Sequence, residues 1–155
     1  MDTSSAIEEF WRAIRAERPE LSEETPEVWA FGATSAQADG LLALVLAGTK
    51  TGTASSLWDY EETGDPLPTE GELSIILDGA GVPQAVIETT EIRVVPFLEV
   101  SAEHAHAEGE GNRTLAHWRE VHERYWRLYS ENPRGFEPEM PVVCERFRLV
   151  HPLSG

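Results

Sequence analysis

The chain has 155 residues, of which 28 are Asp or Glu and 12 are Lys or Arg, giving a formal charge of −16 at neutral pH. That length fits one compact domain, and 41% hydrophobic residues with five tryptophans suffice for a core, which excludes disorder of the whole chain. Affinity for a nucleic-acid backbone comes largely from cations that neutralise phosphates, so the charge excludes broad binding to duplex DNA or RNA and leaves a short single strand or one nucleoside as nucleic-acid partners.

In chain order, Ile7, Phe10, Trp11 and Ile14 fall at i, i+3, i+4 and i+7, which predicts an amphipathic helix over 4–18, capped by Ser4 or Ser5 and stopped by Pro19. Residues 20–27 are acidic, contain Pro26 and read as a linker. Residues 29–32 fit a short strand or an aromatic-anchored loop. A second helix is predicted over 36–47, capped by Thr34 or Ser35, with Leu41, Leu42, Val45 and Leu46 facing the core and Gly48 ending it. Small β-compatible residues over 51–58 predict a strand, and 59–71, with Gly64, Pro66 and Pro68, a loop. Strands over 72–77 and 84–94 flank the turn Asp78-Gly79-Ala80-Gly81 as a hairpin. A short helix over 100–107 follows, then a long one over 113–129 with Leu115, Trp118, His122, Tyr125 and Tyr129 on one stripe; 132–141 is a loop and 142–150 a closing strand. This order fits an α+β fold, a small mixed β-barrel with helices packed around it.

The longest apolar stretch, residues 41–47, is far below the ~20 residues that span a bilayer. The acidic opening of the chain carries no cationic leader, so a soluble, cytoplasmic protein with no membrane partner is expected. Cys144 is the one cysteine, which removes an intramolecular disulfide and a Cys-based zinc site; it reads as a buried small apolar group. The sequon Asn112-Arg113-Thr114 has no export signal to make it meaningful.

Eleven of the 12 cationic residues are arginine, and the exception is Lys50. Between Trp29 and Thr90 it is the one cation among nine acidic residues. Codon bias toward arginine would leave a lysine by chance. A chemical reason is that arginine stays protonated and cannot replace an amine that must lose a proton or act as a compact charge.

Gly48-Thr49-Lys50-Thr51-Gly52-Thr53, after an apolar helix and opening a strand, resembles the G-x-K-x-x-T/E signature of ASCH domains, whose barrel is related to the PUA RNA-binding fold. The Gly-rich hairpin and the closing Glu145-Arg146-Phe147 strand agree with it, over about residues 29–150. The resemblance implies a single domain over 1–155, with 1–28 as an N-terminal helical extension and 29–150 as the barrel core. One bacterial branch of that family hydrolyses N4-acetylcytidine to cytidine and acetate. By resemblance Lys50 is the nucleophile, Thr53 its activating partner and Glu110 a further catalytic group, without cofactor or metal. Other relatives imply RNA binding or metal-dependent RNA cleavage. The chain departs from the amidohydrolase branch in its N-terminal helix, its longer loops and Ser55, where the branch has an arginine.

Amide hydrolysis needs a nucleophile, an oxyanion stabiliser and a proton for the leaving nitrogen. Two roles are open to Lys50: a desolvated neutral amine that attacks, or an ammonium that stabilises the oxyanion while Glu110 activates water. Trp58 and Tyr60 are candidates to stack a base, or else they cover the barrel end. Asp59 is a candidate partner for an exocyclic amine, and Arg113 for a substrate carbonyl or a helix-surface pair. His104 and His106, two apart, match no zinc spacing on a helix. His117 reads as a surface residue and His122 as a core-edge residue. Of Glu145 and Arg146, one is expected to face the barrel or pocket, where a charge needs a partner. The competing readings are a nucleoside amidohydrolase, a single-stranded RNA module or ribonuclease with Arg113, Arg119, Arg124 and Arg127 as footprint, and a ligand sensor.

Overall fold

Apolar residues at helical spacing and runs of β-branched residues divide the chain, in a computed structural model that describes residues 3–152, into helices and strands in the order α1 (Thr3–Glu17), β1 (Glu27–Trp29), α2 (Ser35–Leu46), β2 (Gly52–Ser56), α3 (Leu57–Thr63), β3 (Leu73–Leu77), β4 (Pro83–Pro96), α4 (Ala102–Glu108), α5 (Leu115–Tyr129) and β5 (Pro141–His151). The strands form one mixed sheet in the order β1-β3-β4-β5-β2. β1 runs parallel to β3, and the other pairings are antiparallel. The β3–β4 hairpin turns at Asp78, whose carboxylate accepts from the amides of Ala80 and Val82, and at Gly81, whose φ of 81° suits a residue without a Cβ.

Alternation along the strands supplies both faces of the sheet. Ile76, Ala85, Ile87 and Phe147 pack against Leu42 and Val45 of α2 and Phe31. Their neighbours Ile75, Val86 and Val150 pack against Trp11 and Ile14 of α1. Farther along that second face, Val142 and Cys144 meet Trp118 and Trp126 of α5 and Phe97. Each fully buried Val, Leu, Ile or Phe side chain among them contributes about 1.5–3 kcal/mol.

The ladder between β4 and β5 shifts register between Thr89 and Glu91, so Thr90 is an extra residue. Before this bulge Ala85 and Ile87 face α2 and Thr89 reaches Glu145; after it Arg93 lies opposite Cys144, and Val95 packs with the α5 cluster.

Several expected elements differ in detail. α1 already includes Ser4 and Ser5, so neither precedes it as a cap. The strand expected to run to Trp58 ends at Ser56, and α3 occupies the start of the expected loop. Asp59 in its first turn and Gly64 in a left-handed C-cap at φ 77° are helix signals that the small residues before them mask. Glu27 belongs to β1 rather than to the linker. Leu46 and Tyr129, expected on the buried stripes of their helices, are 37% and 39% exposed, and each is the last residue of its helix. Among the described residues no helix is long and apolar enough to cross a membrane.

Candidate functional site

Lys50 is set in place by backbone. After α2, Gly48 turns the chain at φ 80°, and the amides of Thr49 and Lys50 both donate to Leu44 O, at 3.0 and 3.1 Å. The next amide, of Thr51, donates to Ala107 O at 2.7 Å, which ties the segment to the end of α4. Gly109 permits that approach: it adopts φ 73°, and a Cβ there would lie 2.5 Å from Thr49 O. Arg113, itself at φ 62°, closes the same junction by donating to His106 O at 3.0 Å and Thr49 O at 3.4 Å.

The Lys50 side chain is buried at the edge strand β2, where the layer of α2 meets α5. Its Nζ lies 3.3 Å from Glu110 Oε2, 3.4 Å from Glu108 O and 3.6 Å from Glu108 Oε1, and 5.5 Å from the centre of the Phe31 ring. A desolvated cation needs such compensation.

Glu108, 1% exposed, is the hub of the site. Its Oε2 accepts from Trp118 Nε1 at 2.6 Å and His104 Nε2 at 2.8 Å, and its Oε1 from His122 Nε2 at 3.1 Å. Burial opposes its charge, but His122, Lys50 and the two histidine hydrogen bonds hold the carboxyl well below the usual carboxylate range. The two histidines differ. His122 Nδ1 faces Trp118 O at 2.8 Å and Nε2 faces a carboxylate, so both nitrogens meet pure acceptors and both carry hydrogen. Burial works against that imidazolium, yet the Glu108 charge raises its pKa above the ordinary value. Arg146 Nε donates to His104 Nδ1 at 3.4 Å, which places the His104 hydrogen on Nε2, toward Glu108. Glu108 is thus shared by His122 and Lys50, and Lys50 in addition reaches Glu110 and the pocket.

Glu108, Glu110 and His122 each offer a ligand atom, all within 4.8 Å of one another. These are the residues that could hold a metal, but the Lys50 ammonium lies against both carboxylates and His122 points a hydrogen at Glu108.

A pocket of about 100 Å³ opens at Lys50, with Thr53, Glu108, Glu110 and Tyr125 among its walls. It shares Gly32, Ala54 and Tyr125 with a wider cleft of about 510 Å³, a size that suits a small-molecule ligand. A third chamber of about 130 Å³ shares Thr53 with the Lys50 pocket and Ser55 and Tyr60 with the cleft.

Of the candidates from sequence, Lys50, Thr53 and Glu110 line one pocket. Ser55 and Tyr60 line the adjoining chambers, and burial raises the Tyr60 pKa despite a hydrogen bond with Ser55. Asp59 lines the cleft but is also structural, accepting from the Glu131 amide at 2.9 Å. Trp58 is buried in the core with the Arg134 guanidinium 3.6 Å above its ring, away from the Lys50 pocket. Arg113 spends its donors on backbone. Sequence reasoning missed Glu108 and His104 as site residues and placed His122 only at the core edge. The available signal was i, i+4 spacing, His104 to Glu108 and Trp118 to His122, each pair on one helix face. Burial, with Glu108 adding, pushes the Cys144 thiol up to about 12, consistent with an inert core group.

A family model described as ASCH domain matches residues 27–151. A crystal structure of a protein from Enterococcus faecalis V583 is similar at 38% identity and TM-score 0.85, covering 94% of this chain and 88% of its own. An ASCH domain from Lactobacillus crispatus JV V101 is similar at 27% identity and TM-score 0.80, covering 96% and 93%. No curated protein matches the chain.

Proposed function

The chain belongs to the ASCH domain family, with its PUA-like α+β fold, and from that premise we propose that it is an amidohydrolase that removes an acyl group from a modified nucleoside such as N4-acetylcytidine. The observation that carries this reading is the buried Lys50 Nζ, 3.3 Å from Glu110 Oε2, with Thr53 on the wall of the same pocket.

An ammonium flanked by two carboxylates is suited to stabilising negative charge rather than to attacking a carbonyl. In the reaction we propose, Glu110 takes a proton from a water whose oxygen bonds to the acyl carbon. The carbonyl electrons move onto oxygen, which Lys50 and the Thr53 hydroxyl stabilise. The carbon–nitrogen bond then breaks, Glu110 returns its proton to the leaving nitrogen, and a carboxylic acid and a free amine result, the acid ionising in water. Each polar contact of Nζ is 3.3 Å or longer, so an oxyanion can exchange with one of them at modest cost. The cleft lined by Tyr60 and Tyr125 leads to this point, and its carboxylates Asp59, Asp65 and Glu131 favour a substrate without phosphate.

Binding of single-stranded RNA has less support, because the arginines that would form its footprint are engaged. Arg124 pairs with Glu120 and Arg127 with Glu123, Arg119 donates to Leu98 O, and Arg113 holds Thr49 and His106.

The test is release of cytidine from N4-acetylcytidine, followed by chromatography with and without chelator. The native protein releases cytidine under both conditions, and K50M and E110Q each lower kcat/KM by at least about 100-fold, the scale of one oxyanion or acid–base group. Absence of release by the folded native protein overturns the substrate; release that a chelator abolishes replaces the mechanism with a metal-dependent one.

A further inference from the structure

The chamber beside Thr53 holds a buried acid that the hydrolytic scheme leaves idle. Glu145, 7% exposed, lies on β5 opposite Thr53 of β2, so the two side chains share one face of the sheet. Its Oε1 accepts from Thr89 Oγ1 at 3.3 Å. The other groups that act on it are the carboxylates of Glu27 and Glu72 and the Tyr60 phenol, and none of them is a cation. A carboxylate so placed would be buried without a counter-charge. Trp29, Tyr60, Pro66 and Pro68 give the chamber flat apolar walls, and Thr53 joins it to the Lys50 pocket.

We propose that this chamber is a base subsite in which Glu145, as a neutral carboxylic acid, reads the N=C–NH edge of an aminopyrimidine and so holds the acylated nitrogen toward Thr53 and Lys50. The assignment rests on the reading of Lys50 as the hydrolytic centre. A carboxylic acid offers one donor and one acceptor side by side, the complement of a ring nitrogen lone pair beside an exocyclic N–H. A carboxylate offers acceptors alone and would face the ring nitrogen lone pair with its own. Burial pushes the Glu145 carboxyl up to about 7, with Glu72 and Glu27 adding to the shift and the Thr89 hydrogen bond opposing it. The acid form is thus available up to neutrality, as at other sites that use a carboxylic acid as hydrogen-bond donor.

The experiment is calorimetric binding of cytidine, which carries that edge and cannot turn over, at pH 6 and pH 8, with N4-acetylcytidine hydrolysis measured alongside. In the native protein binding weakens with pH, approaching tenfold per unit above the Glu145 pKa. E145Q, whose amide keeps one donor and one acceptor, binds equally at both pH values. E145L, with its fold checked by melting, binds at least about tenfold more weakly than native at pH 6, the scale of lost hydrogen bonds in a buried site. A native affinity independent of pH, an E145Q slope equal to native, an unimpaired E145L, or no cytidine binding at pH 6 each overturn the subsite. Cytidine binding with the expected pattern but no hydrolysis refutes the hydrolase while the subsite stands. Hydrolysis with binding indifferent to Glu145 does the reverse.

Discussion

E108Q removes one charge from the hub and changes almost no volume. The amide must present its NH2 either to His104 and Trp118, now 2.8 and 2.6 Å from Oε2, or to His122 and Lys50, now 3.1 and 3.6 Å from Oε1. In both orientations two donors meet a donor, and two buried cations lose their shared counter-charge. Removing one partner of a buried pair costs about 3–5 kcal/mol, a large part of the roughly 5–15 kcal/mol that stabilises a typical domain. Urea unfolding at pH 7 measures the loss. Because the Glu108 pKa is lowered on folding, its contribution is complete above the unfolded carboxyl pKa and disappears as pH falls through the folded value. The deficit of E108Q therefore persists at neutral pH and narrows only in acid. In E108Q Lys50 keeps Glu110 alone as counter-charge, so adding K50M costs less than it does in the native protein and the double variant loses less than the sum of the singles. A deficit for E108Q below about 1 kcal/mol, the scale of an exposed pair, would refute the account of Glu108 as a buried hub.

Three further outcomes follow from the same geometry. G109A forces a left-handed residue to carry a Cβ 2.5 Å from Thr49 O, so beyond the ~1–2 kcal/mol backbone penalty it separates 49–51 from α4 and lowers both the melting temperature and hydrolysis. The Glu145 pKa is raised on folding, so stability falls as pH rises from the unfolded value of 4.5 to about 7. E145Q removes that fall and melts higher than native at pH 8, by up to about 3 kcal/mol of stability, with the advantage shrinking toward pH 5. Nitrogen NMR of the His122 ring finds it doubly protonated at pH 6 and shifts its titration downward in E108Q.

Period and punctuation were enough to place most elements. Ile7, Trp11 and Ile14 mark α1, Thr34 caps α2 through the Gln37 amide, and Asp78 with Gly81 marks the hairpin. Lys50 stood out twice, as one cation in an acidic stretch and within the run 48–53 that resembles the ASCH signature. The rest of the site is set by contacts between distant segments. Glu108 and Lys50 are 58 residues apart in sequence, and the i, i+4 spacing of His104 to Glu108 recurs in His106 to Glu110, so it does not single out Glu108 until α4 is docked through Gly109. Trp58 shows the converse: an aromatic next to the signature strand reads as a stacking surface, yet helix α3 turns it into the core.

The bulge at Thr90 also sets what sequence change the domain can absorb. Deleting that residue would leave Thr89 opposite Phe147 and Glu91 opposite Arg146 as neighbouring pairs, a regular ladder in which every later position of β4 keeps its face. Glu91 and Arg93 would stay on the face of Arg146 and Cys144, and Ile92 and Val94 on the face that Glu145 occupies. With the bulge in place, Ala85, Ile87 and Thr89 share the face of Glu145, whereas Glu91, Arg93 and Val95 share the face of Cys144. Thr90 is therefore a position at which β4 can lose its extra residue without moving the rest of the strand to the other face, so a family of such domains can vary in length there while the faces on either side of it are kept.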